Sequence, residues 1–112
     1  MKKHLIDFDN ISWIEAGEGV RYKVFKSGMQ QIRLVEFFEG FVEKDWCIKG
    51  HAGYVLEGSC SIDFNGSIEV LEVGNSFFIP NGEEDKHKVI IKKGERILVI
   101  LYEIIGDSAA II

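Results

Sequence analysis

Apolar and polar residues alternate with a period of two in several short segments of the chain. In one of them Val20, Tyr22 and Val24 alternate with basic residues, which is typical of a β-strand with one buried face. Further strands are predicted at 31–38, 52–56, 60–64, 77–79, 89–91 and 97–105. Turns rich in glycine and asparagine separate them, and no segment has helical periodicity. The pattern therefore predicts an all-β sandwich or barrel.

Two of the predicted strands are apolar on both faces. The segment 52–56 has no charged residue, and the segment 97–105 is apolar on both faces except for Glu103. A small barrel has only one interior, so the second apolar face needs a cover, either from the chain's own termini or from a second copy. We therefore expect a homodimer, and the segment around Trp13 is a candidate for exchange across its interface.

The strands occupy the middle of the chain. Residues 1–19 contain one short apolar run before a glycine-rich loop, and they are expected to form an N-terminal arm or edge strand. Residues 20–105 are expected to form the barrel. Residues 106–112 form a C-terminal tail with an apolar end, for which docking and fraying both remain open.

The dipeptide at 65–66, Asn-Gly, is a strong hairpin signal. A two-residue loop would pair Ile62 with Glu69 and would place a charge opposite an apolar side chain. An odd-length loop would instead set Ile62 on the same face as Ile68 and Val70. We therefore predict a three-residue turn with a glycine bulge.

Length and composition restrict the class of protein. The 112 residues suffice for one domain with a single core, and 46% are hydrophobic. The formal net charge is −5 and no lysine or arginine cluster is longer than a pair, so nucleic acid is not an expected partner. Cys47 and Cys60 are too few for a secreted disulfide scaffold and are expected to be reduced thiols. No signal-peptide core or membrane span is visible, which favours a cytoplasmic protein without a membrane partner.

The segment 46–58 resembles the first motif of the cupin family. That motif has two histidines one residue apart, then a glutamate, then a glycine seven positions after the glutamate. Here the motif's end is matched by Tyr-Val-Leu-Glu-Gly, and counting back from Gly58 places His51 at the glutamate position. The resemblance implies that His51 points into the interior of a barrel.

The segment 74–82 resembles the second cupin motif, which reads glycine, five residues, proline, one residue, glycine, two residues, histidine. Gly74, Pro80 and Gly82 stand at this spacing, but Asp85 occupies the histidine position. Together the two motifs imply a cupin-type double-stranded β-helix, or jelly-roll, barrel over residues 20–105. Most of the family's metal ligands are replaced.

The spacing within the first motif varies by one residue in the family, so two alignments remain open. The longer spacing puts Lys44 and Trp46 at the histidine positions, and neither side chain binds a metal at neutral pH. The shorter spacing puts Asp45 and Cys47 there. With His51, these residues and the acidic residue of the second motif make a set that suits zinc or iron.

His87 lies two residues beyond Asp85, so in a continuous strand it would point to the same side and replace or supplement that carboxylate. Simpler interpretations stand beside these. His51 could be a buried neutral histidine without a metal. Residues 85–88 could form a solvent-exposed rim. Cys47 could be a small buried apolar residue.

The resemblance implies a stand-alone cupin that binds a small organic molecule in its barrel, with no cofactor expected. The ligand-binding residues would be Trp46, His51, Asp85 and His87. The alternative is an enzyme, either a metal-dependent oxygenase or an isomerase or epimerase. It would use His51 as a base with Cys47, Asp85 or His87. A dimerisation module for a larger assembly is a third possibility.

Overall fold

The computed structural model describes residues 4–105, which form eight β-strands and two single-turn 3₁₀ helices. The strands are β1 (Ile14–Glu15), β2 (Val20–Ser27), β3 (Gln30–Phe38), β4 (His51–Asp63), β5 (Ile68–Glu72), β6 (Ser76–Ile79), β7 (Lys88–Ile90) and β8 (Arg96–Ile104). The 3₁₀ helices are η1 (Phe8–Asn10) and η2 (Glu83–Asp85). The predicted all-β class is confirmed. No helix in the described part of the chain is long and apolar enough to cross a membrane.

The strands form two antiparallel sheets that share β4. The first sheet has the order β1-β2-β3-β8-β4-β6, and the second has the order β5-β4-β7. The thirteen-residue strand β4 passes from one sheet to the other through an irregularity between Val55 and Glu57. Gly58 follows with a φ of +76°, and a Cβ there would lie 1.8 Å from the carbonyl oxygen of Arg96. Glycine therefore allows β4 to bend across β8.

The core lies between the two sheets. From the first sheet, Val35, Val55, Ile97 and Val99 are almost completely buried. The inward side chains of the second sheet complete it, and these are Cys60, Ile62 and Leu71. Burial on the inner faces follows the two-residue period of the sequence, which is why the core positions alternate along each strand.

The hairpin between β4 and β5 has a two-residue loop, so the prediction of an odd-length loop is wrong. Ile62 pairs directly with Glu69. The loop residues Asn65 and Gly66 have φ values of 60° and 127°, so both adopt the positive φ that a primed two-residue turn requires. The turn chemistry of Asn-Gly thus determines the register.

The face-matching argument failed because β5 is a half-buried edge strand. Its one buried side chain is Leu71, which lies opposite Cys60 in the interior. Ile68 and Val70, which the argument placed in the core, are more than half exposed on the outer face. An edge strand tolerates such exposure. The apolar residues of β5 therefore do not indicate which of its faces points to the core.

The outer face of the first sheet is only partly covered by the chain itself. The N-terminal arm pairs with β2, and Trp13 stacks on Arg21 with its ring centroid 4.2 Å from the guanidinium carbon. Tyr54 of β4 and Tyr102 of β8 remain more than 40% exposed. Phe78 of β6 is 77% exposed. The tail 106–112 lies outside the described residues.

Candidate metal centre

Three buried side chains meet at one end of the barrel: Cys47, His51 and His87. Cys47 lies just before β4, and its backbone exchanges hydrogen bonds of 2.9 and 3.0 Å with the backbone of His87. His51 is the first residue of β4. One sulfur and two imidazole nitrogens all lie within 4.8 Å of one another, so the group could hold a metal ion.

The bridge between Cys47 and His87 determines which neighbouring residues face inward. Because Cys47 points into the barrel, Trp46 points out, and the ammonium groups of Lys86 and Lys88 lie 5.5 and 4.6 Å from the centre of its ring. Asp45 is exposed. Of the two residues that the shorter alignment puts at the histidine positions, Cys47 is in the site and Asp45 is not. Trp46, which the longer alignment puts there, lies on the outer surface.

Asp85 enters the site through its backbone. It ends the short helix η2, and its carbonyl oxygen is 3.0 Å from Nδ1 of His87. A carbonyl only accepts, so Nδ1 of His87 is the protonated nitrogen and donates this bond. His87, two residues beyond the position that the second motif gives to a ligand, thus replaces Asp85 in the site, with Nε2 toward Cys47, and the backbone of Asp85 orients it.

His51 is oriented by a buried carboxylate. Its Nδ1 lies 2.5 Å from Oε2 of Glu103, an ion-pair contact in which the N–H direction is off the hydrogen-bond line. Arg33 donates to both oxygens of Glu103 at 2.7 Å, and Gln31 donates to Oε1 at 2.6 Å. All four side chains are at least 92% buried. The cluster fixes the ring of His51 so that Nε2 faces Cys47, 3.8 Å away.

This cluster also sets the charges. Burial by itself would raise the pKa of Glu103, but His51 and Arg33 outweigh it and lower that pKa to about 2. Burial would lower the pKa of His51, yet Cys47 and Glu103 raise it to about 9. Burial opposes ionisation of Cys47 as well, but the two histidines bring its pKa down to about 6. These shifts favour a thiolate at Cys47 beside an imidazolium at His51.

A small cavity of about 40 Å³ adjoins the centre inside the barrel. Its wall is apolar except for His51, His87 and Glu43. Oε1 of Glu43 accepts a 2.7 Å hydrogen bond from the backbone N–H of Val89, and burial raises the pKa of this carboxyl to about 7. The cavity has room for a metal ion or a few waters, and it is much smaller than the sites of drug-sized ligands.

A larger open groove of about 660 Å³ lies outside the cavity, between β5, β6 and η2. Four apolar side chains line both spaces and therefore form the wall between them: Ile62, Leu71, Phe77 and Ile79. The carboxyl-bearing residues Glu69, Glu84 and Asp85 lie along the groove. Its size is within the usual range of small-molecule sites.

Four residues around the centre were not identified from the sequence: Gln31, Arg33, Glu43 and Glu103. Glu103 was noticed only as the polar exception in a doubly apolar strand, and that exception was the available signal, because a buried charge needs a partner. Arg33 and Gln31 supply it from β3. Glu43 lies between β3 and β4, where no periodicity indicates which side faces inward.

Solved structures with the same architecture are cupin barrels, while no family model and no curated protein matches the chain. The polyketide cyclase RemF from Streptomyces resistomycificus aligns with a TM-score of 0.78 at 18% identity, covering 95% of this chain and 81% of RemF. An RmlC-like cupin from Shewanella frigidimarina aligns at 0.73 and 19% identity, over 96% and 95% of the two chains. Fe(II) HppE aligns at 0.68 and 14% identity, over 91% and 61%.

These similarities identify the fold as a double-stranded β-helix barrel. The chain has the cupin fold, as the two motifs implied. At these identities the fold alone is shared, and the chemistry has to be argued from the residues of this chain.

Proposed function

We propose that this cupin binds one divalent metal ion, zinc or ferrous iron, through Cys47, His51 and His87, and that it is an enzyme acting on a small organic molecule. One observation carries the proposal. Both histidines have Nδ1 against an oxygen acceptor, the carboxylate of Glu103 for one and the carbonyl of Asp85 for the other. Metal-ligating histidines are typically held in this way, which leaves Nε2 as the ligand atom.

The donor set fits these metals. One thiolate and two imidazoles suit zinc or iron, and three protein ligands are the usual number where a position is left for water or substrate. When bound, such an ion polarises an adjacent oxygen atom or generates a nucleophile from water. On binding, the cation would displace the proton from Nε2 of His51 and take over the compensation of the buried Cys47 thiolate.

The chain's own residues would bind the substrate and move protons. Glu43 lines the cavity with His51 and His87, and with Oε1 held by the N–H of Val89 its Oε2 is left to take or give a proton. The body of an organic substrate fits the outer groove, and its reactive end would pass the apolar wall at Leu71 and Phe77. That wall keeps bulk water from the cavity.

One comparison supports an enzyme on this scaffold, and a second supports a bound iron ion. RemF is a polyketide cyclase, and HppE is an Fe(II) protein. The expected organic ligand is kept in this proposal, but its body is assigned to the groove because the cavity of about 40 Å³ is too small for it. The sequence leads us to expect no cofactor, whereas this proposal includes a metal ion.

The test is the metal content of untagged protein purified without added metal. We expect about one zinc or iron per chain, retained in Cys60→Ser and lost in Cys47→Ser. Cys60 is the matched control, because it is an equally buried cysteine outside the triad. The cobalt-substituted protein should show a thiolate-to-cobalt charge-transfer band that only Cys47→Ser abolishes. Equal metal content in the two variants would refute the proposal.

A second candidate rests on the order of Cys47, His51 and Glu103. A nucleophile, a base and an orienting acid follow one another at 3.8 and 2.5 Å, the arrangement of a cysteine catalyst. The Cys47 thiolate would form a bond to an electrophilic carbon while Nε2 of His51 gives its proton to the leaving group. Two results would favour this candidate. Protein purified without added metal would contain no metal, and iodoacetamide would alkylate Cys47 in preference to Cys60.

A further inference from the structure

The chain contains two Asn-Gly dipeptides, at 65–66 and 81–82, and both asparagines are exposed. Asparagine is a thermolabile residue, because the backbone nitrogen of the next residue can attack its side-chain amide carbon. A following glycine permits this attack most readily, since it has no side chain to obstruct the approach. The sequence alone makes the two dipeptides equivalent, whereas the structure distinguishes them.

The dipeptide at 81–82 has both of its reacting groups held by hydrogen bonds. Oδ1 of Asn81 accepts a 2.6 Å bond from the backbone N–H of Gly50. The N–H of Gly82 donates a 2.9 Å bond to the carbonyl oxygen of Ile48. The first bond fixes the orientation of the amide carbon, and the second occupies the nitrogen that would attack it. Both bonds have to open before the reaction can start.

The dipeptide at 65–66 has neither restraint. In the part of the chain that the structure describes, no hydrogen bond uses the side-chain amide of Asn65 or the N–H of Gly66. The hairpin is closed by the residues around them, where the N–H of Phe64 donates to the carbonyl of Ser67 at 2.8 Å. The backbone N–H of Asn65 donates to the carboxylate of Asp63, also at 2.8 Å. A Cβ added at Gly66 would have no atom within 4 Å, so the attacking nitrogen lies in open solvent.

We propose that Asn65 is a site of spontaneous covalent modification, which deamidates in the folded protein while Asn81 stays intact. The backbone nitrogen of Gly66 forms a bond to Cγ of Asn65, the Cγ–Nδ2 bond breaks, and the proton of the attacking N–H leaves with the departing ammonia. Water then opens the resulting cyclic imide at either of its carbonyls. Opening at one carbonyl gives aspartate. Opening at the other gives isoaspartate, in which the main chain runs through the former side-chain CH₂.

Either product disturbs the hairpin between β4 and β5. Isoaspartate adds a backbone atom to a loop whose register depends on positive φ values at two residues, 60° at Asn65 and 127° at Gly66. Aspartate keeps the backbone but places a second carboxylate beside that of Asp63. Among the strands of residues 4–105, β5 pairs with β4 alone, and its buried Leu71 belongs to the wall between cavity and groove. Modification of Asn65 should therefore loosen β5 and this wall.

The test is to age the full chain at mildly alkaline pH and to measure conversion at both asparagines by peptide mapping with mass spectrometry and an isoaspartate assay. In the folded protein we expect Asn65 to convert at least about tenfold faster than Asn81, whose two hydrogen bonds have to open first. The matched control is the same measurement in concentrated urea. Both dipeptides are Asn-Gly, so they should convert at similar rates once the chain is unfolded.

Two variants test the consequence for β5 by amide hydrogen exchange. Exchange in β5 should be faster in aged than in fresh wild type, with Asn65→Asp in between because it adds the charge without the extra backbone atom. Asn65→Gly keeps a primed turn without a side-chain amide, so ageing should leave its exchange unchanged. Equal conversion of Asn65 and Asn81 in the folded chain would overturn the proposal. So would an Asn65 that stays intact when folded and converts in urea, or a β5 whose exchange is the same before and after conversion.

Discussion

Replacing Arg33 with methionine should strongly destabilise the protein. Arg33 and Glu103 are both 97% buried at the side chain, and the guanidinium makes two 2.7 Å bonds to the carboxylate. The methionine fills similar space without the charge. Glu103 would then keep only Gln31 and His51 as partners in an apolar interior.

The expected cost follows from this burial. Removing one partner of a buried ion pair typically costs about 3–5 kcal/mol, because the other charge is left uncompensated. A chain of this length has a free energy of unfolding of about 6–16 kcal/mol. The loss is thus a large fraction of the total, and it corresponds to a melting temperature lowered by about 12–20 °C.

The double variant Arg33→Met with Glu103→Leu tests whether the loss of stability comes from the uncompensated charge of Glu103 or from another cause. Removing both charges should restore most of the stability, short by about 1 kcal/mol because Gln31 loses its acceptor. Metal affinity should not recover. His51 has lost its orienting carboxylate, and such losses typically weaken metal binding about 10–100-fold.

Urea denaturation of the metal-free proteins measures the stability, and competition with a chelator measures the metal affinity. The reasoning would be refuted by a single variant within 1 kcal/mol of the wild type, or by a double variant no more stable than the single. A double variant with restored stability and unchanged metal affinity would show that Glu103 does not orient His51.

Three further predictions concern other parts of the molecule. Gly58→Ala should cost at least about 3 kcal/mol in urea denaturation because its Cβ meets a backbone carbonyl, whereas Gly28→Ala, at a φ of +59° in open space, should cost only about 1. Burial opposes ionisation of Glu36, but two arginines lower its pKa, so its contribution is present above pH 4.5 and is lost as the pH falls. Glu36→Gln should remove up to about 1 kcal/mol at pH 7, and this effect should shrink as the pH falls below 4.5, measured by denaturation at a series of pH values. Cys60, whose pKa burial raises to about 12, should resist iodoacetamide until the protein unfolds, as mass spectrometry can show.

The fold was predictable because its signals are local. Period-two strands, glycine turns and the spacing of Gly58, Gly74, Pro80 and Gly82 all lie within short windows, and they led to the cupin barrel. The hairpin at 65–66 was mispredicted although its signal was also local. Face matching was given more weight than the turn chemistry, and on an edge strand the turn is the stronger constraint.

The site was predictable only where counting along the chain suffices. His51 follows from Gly58, and the shorter alignment named Cys47. Their partners Arg33 and Glu103 are 70 residues apart, and only the pairing of β3 with β8 brings them together. No spacing rule connects them, so a pattern analysis can note a lone charge in an apolar strand but cannot say what neutralises it.

The pairing of Arg33 with Glu103 also bears on how the chain finds its native alignment during folding. A slip of β8 by one position along β3 would turn every inward side chain outward, and apolar residues on both faces of β8 would do little to oppose it. The buried ions oppose it strongly, because the slip would turn Glu103 outward and leave the buried guanidinium of Arg33 without its carboxylate. The ion pair thus discriminates against misaligned strands while the sheet forms. Variants lacking both charges should fold to a stable protein with a greater population of out-of-register or aggregated chains.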